Sequence, residues 1–189
     1  YQMGIHLKSA ELKALQSQIN PHFLYNTLEM VNWLAYGGRM EDIHKAVISL
    51  SKYYRLILNK GQDTLTLAEE LQHVDYYIKI QDIRFPGKLT YLEEVEEAIK
   101  DSVVPKIILQ PLVENAYEHG MKNCLEGGMI RIRTDYRDGY FSFCVEDNGD
   151  GLQENELTEL RRRLNVEEIN SEEIHGLANT NARIRRWYK

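Results

Sequence analysis

The sequence predicts an α+β protein in two parts: an N-terminal helical hairpin that pairs into a dimeric four-helix bundle, followed by an α/β sandwich. Three observations carry this. Ile43, Val47, Leu50, Tyr54 and Ile57 recur at alternating steps of four and three, the 3.5-residue seam of a bundle. Beyond Pro86-Gly87 strand-like alternation enters: Ile130 and Ile132 alternate with Arg131 and Arg133, and Phe141, Phe143 and Val145 with Ser142, Cys144 and Glu146. Helical patterns continue between and after these strands, as a two-layer sandwich requires.

Met3 to about Ala35 reads as one helix with Leu12, Leu15 and Ile19 at helical spacing, broken at Pro21. An interior proline costs about 3 kcal/mol. Past it the apolar series restarts as Leu24, Leu28 and Val31, and a step of five from Ile19 turns the buried face by about 140°. Pro21 is therefore expected to swing His22 outward while Phe23 or Leu24 stays in. Gly37-Gly38 ends this helix, and Glu41 to Leu58 forms the next. Two helices with a short loop enclose little core, so dimerisation is expected; the alternative is a hairpin packed on its own second domain.

A polar break, Asn59 to Thr66, places the domains at 1–62 and 63–189. A third helix follows from Leu67 to about Phe85 and ends at Pro86-Gly87. Then come a strand (Leu89 to Glu96), a helix (Pro105 to Met121) and a β-hairpin (Met129 to Asp147) turning at Asp138-Gly139. One face of the hairpin is expected to be buried. A charged stretch expected to be mobile, Gln153 to Glu173, precedes a last helix from near Leu177.

With 29 acidic residues against 23 Lys and Arg and a net charge of -6, the chain lacks the basic face that nucleic acid needs. Cys124 and Cys144 fit no metal or redox spacing and are read as free thiols in a reducing compartment. No apolar run approaches the roughly 20 residues of a membrane helix, and no signal peptide opens the chain.

Two stretches could carry chemistry. EDNGDG, Glu146 to Gly151, fails as a calcium loop because Leu157 occupies the position where a bidentate Glu is required. It reads either as a plain strand-exit turn or as a recognition site. In the second reading a carboxylate accepts an exocyclic amine while Gly149 and Gly151 admit a flat ring such as adenine. In LVENAYEHG, Leu112 to Gly120, the side chains of Glu114, Asn115, Glu118 and His119 crowd about one and a half turns of helix. They form either a solvated face or a set of hard oxygens suited to Mg²⁺.

Taken in order, QINPHFLYN (Gln18 to Asn26), LQPLVENAYEHG, EDNGDG and HGLANTNARI resemble the sensor histidine kinases of two-component systems, and among them the LytS/YesM type. The resemblance runs from about Leu12 to the C-terminus. It implies a dimeric helical hairpin joined to a Bergerat-type ATP-binding domain, with two more strands than the chain contains. It also implies ATP-dependent phosphorylation of His22, with transfer to an aspartate of a response regulator. Asn115 would hold Mg²⁺, with Glu114 beside it as a second contact or orienting group. Asp147 would bind the adenine amine, Gly149 and Gly151 would shape the pocket, and His119 would lie near the nucleotide. Gly176 and Leu177 would form the second glycine box, where an ATP lid from about Leu152 to His175 rejoins the domain. The family also implies the cytoplasmic part of a membrane-anchored sensor, held through an upstream segment absent from this chain.

The chain departs from the family pattern at three places. Glu118 stands where the family has a lysine, and an acidic group near a triphosphate is repulsive unless metal intervenes. Only Gly176 represents the second glycine box, Ile174 or His175 standing for its first glycine. Phe23 follows His22 where other subfamilies place an acidic base. Two rivals therefore stand beside the kinase: a catalytically silent dimeric scaffold, and an ATP hydrolase in which Glu114 activates water. His6, His44 and His73 are expected to be solvated.

Overall fold

A computed structural model describes residues 20–58, 63–124, 126–137, 140–165 and 175–187. The chain divides into two units, Tyr1–Gln62 with Asp75–Arg84, and Asp63–Val74 with Phe85–Lys189.

The first unit begins at α1 (Pro21–Tyr36). Asn20 is extended, as residues before proline are, and its side-chain oxygen accepts the Phe23 amide at 3.1 Å. Within the described residues Pro21 is thus the first residue of a helix, not an interior break. Its missing N–H would be unpaired there anyway, so the expected penalty disappears. His6, Leu12, Leu15 and Ile19 lie outside the described residues. Gly38, at φ 67°, turns the chain into α2 (Met40–Ile57), and the Arg39 amide closes α1 on the Leu34 carbonyl at 2.9 Å.

His22 is exposed and Phe23 buried, as the sequence predicts. Apart from Ile57, which is buried as the seam predicts, the rest of both buried faces lies one residue away from it. α1 buries Phe23, Thr27, Met30 and Leu34, and α2 buries Ala46, Ser49, Tyr53 and Ile57. Leu28 and Val47 are exposed instead, and Ile43, Leu50 and Tyr54 half-buried. Each helix carries two adjacent apolar stripes, and hydrophobicity alone does not say which one faces its own hairpin partner. The core is aromatic: the Phe23 ring lies 5.0 Å from that of Tyr53 and 5.1 Å from that of Tyr77. Tyr77 and Ile80 come from the later part of α3 (Leu67–Arg84).

In the second unit α3 opens on a capping box. Thr66 Oγ1 accepts the Glu69 amide at 3.2 Å, and Glu69 Oε2 accepts the Thr66 amide at 2.8 Å. The end of the polar break is a strand, β1 (Thr64–Thr66), antiparallel to β3 (Val103–Pro105). Strands of three residues leave too short an alternation to read. The main sheet runs β2 (Leu89–Glu94), β4 (Gly128–Arg137), β5 (Tyr140–Asp147), with β2 parallel and β5 antiparallel to β4. Asp138 and Gly139 lie outside the described residues.

Ile130 and Ile132 of β4 are fully buried, while Arg131 and Arg133 on the opposite face pair with Glu94 and Glu146. The expectation of a buried hairpin face holds only for β4. Phe141 is exposed and Phe143 and Val145 are half-buried, because β5 is an edge strand among the described residues. The helix expected over 105–121 is shorter. Residues 106–109 are irregular, α4 spans Gln110–Asn115, and a π-helical turn covers Ala116–Gly120. The charged stretch contains α5 (Glu154–Asn165), and the last helix is α6 (His175–Trp187).

His44 is exposed as expected, but His73 is 1 % exposed. Its helical neighbours Glu69, Glu70 and Gln72 look polar, yet Leu67, Leu71 and Val74 sink that face of α3 into the core. Burial, with a contribution from Lys106, pushes the His73 imidazole down to about 3. The folded state thus holds it neutral while the unfolded chain protonates near its ordinary value of 6.5. The resulting stability is present above that pH and is lost on acidification toward about 3. Between pH 7.5 and 5 the wild type is expected to lose about 2 kcal/mol more unfolding free energy than His73→Leu, as read by urea denaturation at the two pH values. Parallel pH profiles would contradict this.

Candidate functional site

The second unit holds a cavity of about 540 Å³. Asn115, His119 and Gly120 enter it from α4 and the π turn; Asp147, Gly151 and Leu152 from the exit of β5; Leu177 from the first turns of α6. The far wall is one face of α5, with Glu156, Glu159 and Leu160 at helical spacing. Five residues singled out in the sequence, Asn115, His119, Asp147, Gly151 and Leu177, therefore meet in one place.

A close approach of two glycines shapes this cavity. Any side chain at Gly149 would overlap the Gly120 carbonyl, and a Cβ at Gly120 would come within 2.5 Å of Asp147 Oδ1. The π turn sets Gly120 there by closing an extra-wide turn, with the Met121 amide on the Ala116 carbonyl at 3.0 Å. The same Asp147 oxygen accepts the Gly149 amide at 2.9 Å. Its other oxygen remains able to accept. Asn148 braces the turn from behind: its Oδ1 accepts the Met129 amide at 2.7 Å and its Nδ2 donates to the Gly127 carbonyl at 3.0 Å. Gly151, at φ 68°, turns the chain toward α5 in a conformation that favours glycine.

The lining is acidic. Asp147, Glu156 and Glu159 face it, and no Lys or Arg is among the described lining residues. Glu159 pairs with the exposed Arg162 at 2.8 Å. Among the described residues no three His, Cys, Asp or Glu side chains converge as a metal cage. A divalent cation would be held here by the Asn115 amide oxygen together with a ligand's own oxygens.

The other predicted residues stand apart from this lining. Glu114 is half-buried and accepts from Gln110 Nε2 at 3.1 Å. Glu118 is exposed on the π turn. Gly149 acts beneath the cavity through Gly120, and Gly176 is the second residue of α6. His22 belongs to the first unit, in the first turn of α1, where the Asn26 amide nitrogen lies 3.1 Å from Nε2. Gly120, Leu152, Glu156, Glu159 and Leu160 are not singled out as site residues by the sequence, although the last four fall in the stretch expected to be a mobile ATP lid. The spacing of Glu156, Glu159 and Leu160 is the helical signal that could have found them.

Two family models cover most of the chain: "Histidine kinase" over residues 10–89, and "Histidine kinase-, DNA gyrase B-, and HSP90-like ATPase" over residues 100–188. A helical hairpin bearing an exposed histidine, followed in sequence by an ATPase-type sandwich, is what these models join, and the chain belongs to the histidine kinase family. Its relatives narrow the class to the LytS/YesM type. It is 41% identical to sensor histidine kinase YesM of Bacillus subtilis over 77% of this chain and 25% of YesM. It is 37% identical to sensor protein LytS of Bacillus cereus over 82% of this chain and 26% of that protein. It is 34% identical to LytS of Enterococcus faecalis over 91% of this chain and 28% of that protein. The chain thus spans about a quarter of the length of the relatives it matches.

Gly149→Ala is expected to push the β5 exit off the π turn. Overpacking of this kind costs about 1–3 kcal/mol, which lowers the thermal midpoint by several degrees. Alanine at Gly127, which has positive φ but open space around it, is the control for backbone strain alone. A midpoint in Gly149→Ala no lower than in Gly127→Ala would contradict the close packing.

Proposed function

We propose that this protein phosphorylates itself on His22 from ATP and passes the phosphoryl group to an aspartate of a response regulator. The observation that carries the reading is the convergence of Asn115, Asp147 and the Gly120–Gly149 contact on one cavity of an ATPase-type domain. In this reading the free Asp147 oxygen accepts the adenine amine, Gly151 lets backbone approach the ring, and Gly149 shapes the pocket from beneath by seating Gly120. Leu152, Leu160 and Leu177 supply apolar cover, and His119 lies beside the nucleotide. Glu114, bonded to Gln110, orients the Asn115 end of α4.

The acidic lining fits Mg²⁺ better than it fits a bare triphosphate. Bound with the nucleotide, Mg²⁺ neutralises phosphate charge, which these residues do not do themselves. His22 supplies the nucleophile. A lone pair of its neutral imidazole forms a bond to the γ-phosphorus, the bond from phosphorus to the β-bridging oxygen breaks, ADP leaves, and the ring proton goes to solvent. A regulator carboxylate then attacks the same phosphorus and the N–P bond breaks, returning His22.

Residues 1–62 would serve as the dimerisation and phosphotransfer region and 63–189 as the ATP-binding domain. The exposed apolar stripe at Leu28, Met40, Val47 and Ile48 supports a homodimer of the hairpin. Among the described residues no helix is long and apolar enough to cross a membrane. Placement as the cytoplasmic part of a membrane-anchored sensor follows the family.

The purified protein, given Mg²⁺ and γ-labelled ATP, is expected to gain acid-labile, alkali-stable label that falls to background in His22→Gln. Asp147→Asn is expected to weaken nucleotide binding by about 10- to 100-fold, the worth of one charge-assisted hydrogen bond. Nucleotide binding without label would favour the silent scaffold, and free phosphate without labelled protein the hydrolase.

A further inference from the structure

The loop entering α4 is held in a way that its packing alone does not require. Ile107 has φ 59°, a left-handed conformation that is strained for a β-branched residue. Glu70 of α3 holds it there: the Ile107 amide donates to Oε1 at 2.5 Å, and the Ile108 and Leu109 amides donate to Oε2 at 2.9 and 3.1 Å. Three successive amides closing on one carboxylate make an anion nest, filled here by the protein's own side chain. From the other side Arg183 of α6 donates to the Lys106 carbonyl and, at 3.5 Å, to the Ile107 carbonyl. The loop's N–H groups are thus clamped by an anion and its carbonyls by a cation.

This clamp is costly to build. Glu70 is 0 % exposed; burial pushes its carboxyl up, and the three amides and Arg183 pull it back. Glycine at 107 would remove the strain without any charge. The position of the clamp suggests what it does. Gln110 begins α4 directly after the loop and Asn115 ends it in the cavity, while α6, which carries Arg183, supplies Leu177 to the same cavity.

We propose that Glu70 is a positioning residue for the nucleotide cavity: through the clamped loop 106–109 it fixes where α4 starts, and so sets Asn115 against Leu177. This rests on the nucleotide reading of that cavity. In Glu70→Gln an amide group replaces one carboxylate oxygen of the nest, and the loop can relax.

The test is equilibrium titration of wild type, Glu70→Gln, Ile107→Gly and the double variant with a fluorescent ATP analogue and Mg²⁺, with far-UV circular dichroism alongside. Glu70→Gln is expected to raise the dissociation constant about tenfold with an unchanged spectrum. Ile107→Gly alone should bind as wild type does, and the double variant should recover most of the loss. Unchanged affinity in Glu70→Gln, or a loss that glycine does not recover, overturns the proposal. If Glu70→Gln does not fold, Arg183→Gln carries the test: weaker nucleotide binding supports the clamp and unchanged affinity overturns it. Wild-type protein that binds no nucleotide overturns the reading of the cavity and this inference with it. Wild-type binding with Glu70→Gln unaffected overturns the inference alone.

Discussion

The contact of Gly149 with the Gly120 carbonyl is the constraint on which the candidate site depends. Gly149 can meet that carbonyl this closely only because it has no Cβ, and a Cβ on Gly120 would strike the Asp147 carboxylate. On one side is a helix whose last turn widens to a π turn; on the other is the strand exit that carries Asp147. Because they touch, the Asp147 carboxylate sits against the Gly120 backbone and the end of α4 projects into the cavity. Asn148 fixes the same turn to the first residues of β4, so the strand exit is pinned on both flanks.

Charge is arranged differently in the cavity and in the structure behind it. Behind, Glu70 and Arg183 compensate each other's surroundings through backbone groups of one short loop. In the cavity the carboxylates of Asp147, Glu156 and Glu159 belong to the lining, and no Lys or Arg is among the described lining residues. Glu118, where the family pattern has lysine, is exposed outside that lining. Three carboxylates on the described lining are the reason the proposed nucleotide is taken to arrive with Mg²⁺.

Much of this was legible in the residues. Seam spacing announced the hairpin, period-two alternation announced β4 and β5, and the motifs placed five cavity residues before any fold was known. What escaped has physical causes. Apart from Ile57, the buried faces of α1 and α2 lie one residue from the expected seam because each helix has two apolar stripes and only tertiary packing chooses between them. β1 and β3 are too short to alternate. His73 looked solvated because Glu69, Glu70 and Gln72 beside it are polar, whereas Leu67, Leu71, Val74 and Tyr77 show that this part of α3 is buried. Gly120 closed a motif in plain view, yet its role exists only in the partner it meets, 29 residues downstream. Pro21 read as a break because the helix pattern runs through it, whereas Asn20 caps a helix that starts there.

The central claim is that the glycine contact builds an adenine site around Asp147. A crystal structure with Mg²⁺ and a non-hydrolysable ATP analogue tests it most directly. The account predicts the exocyclic amine of the ring on the Asp147 carboxylate, the ring against Gly151, and the metal between Asn115 and the phosphates. A nucleotide bound away from Asp147, or one seated in this cavity with its ring at the α4 end and its phosphates at Asp147, would contradict it.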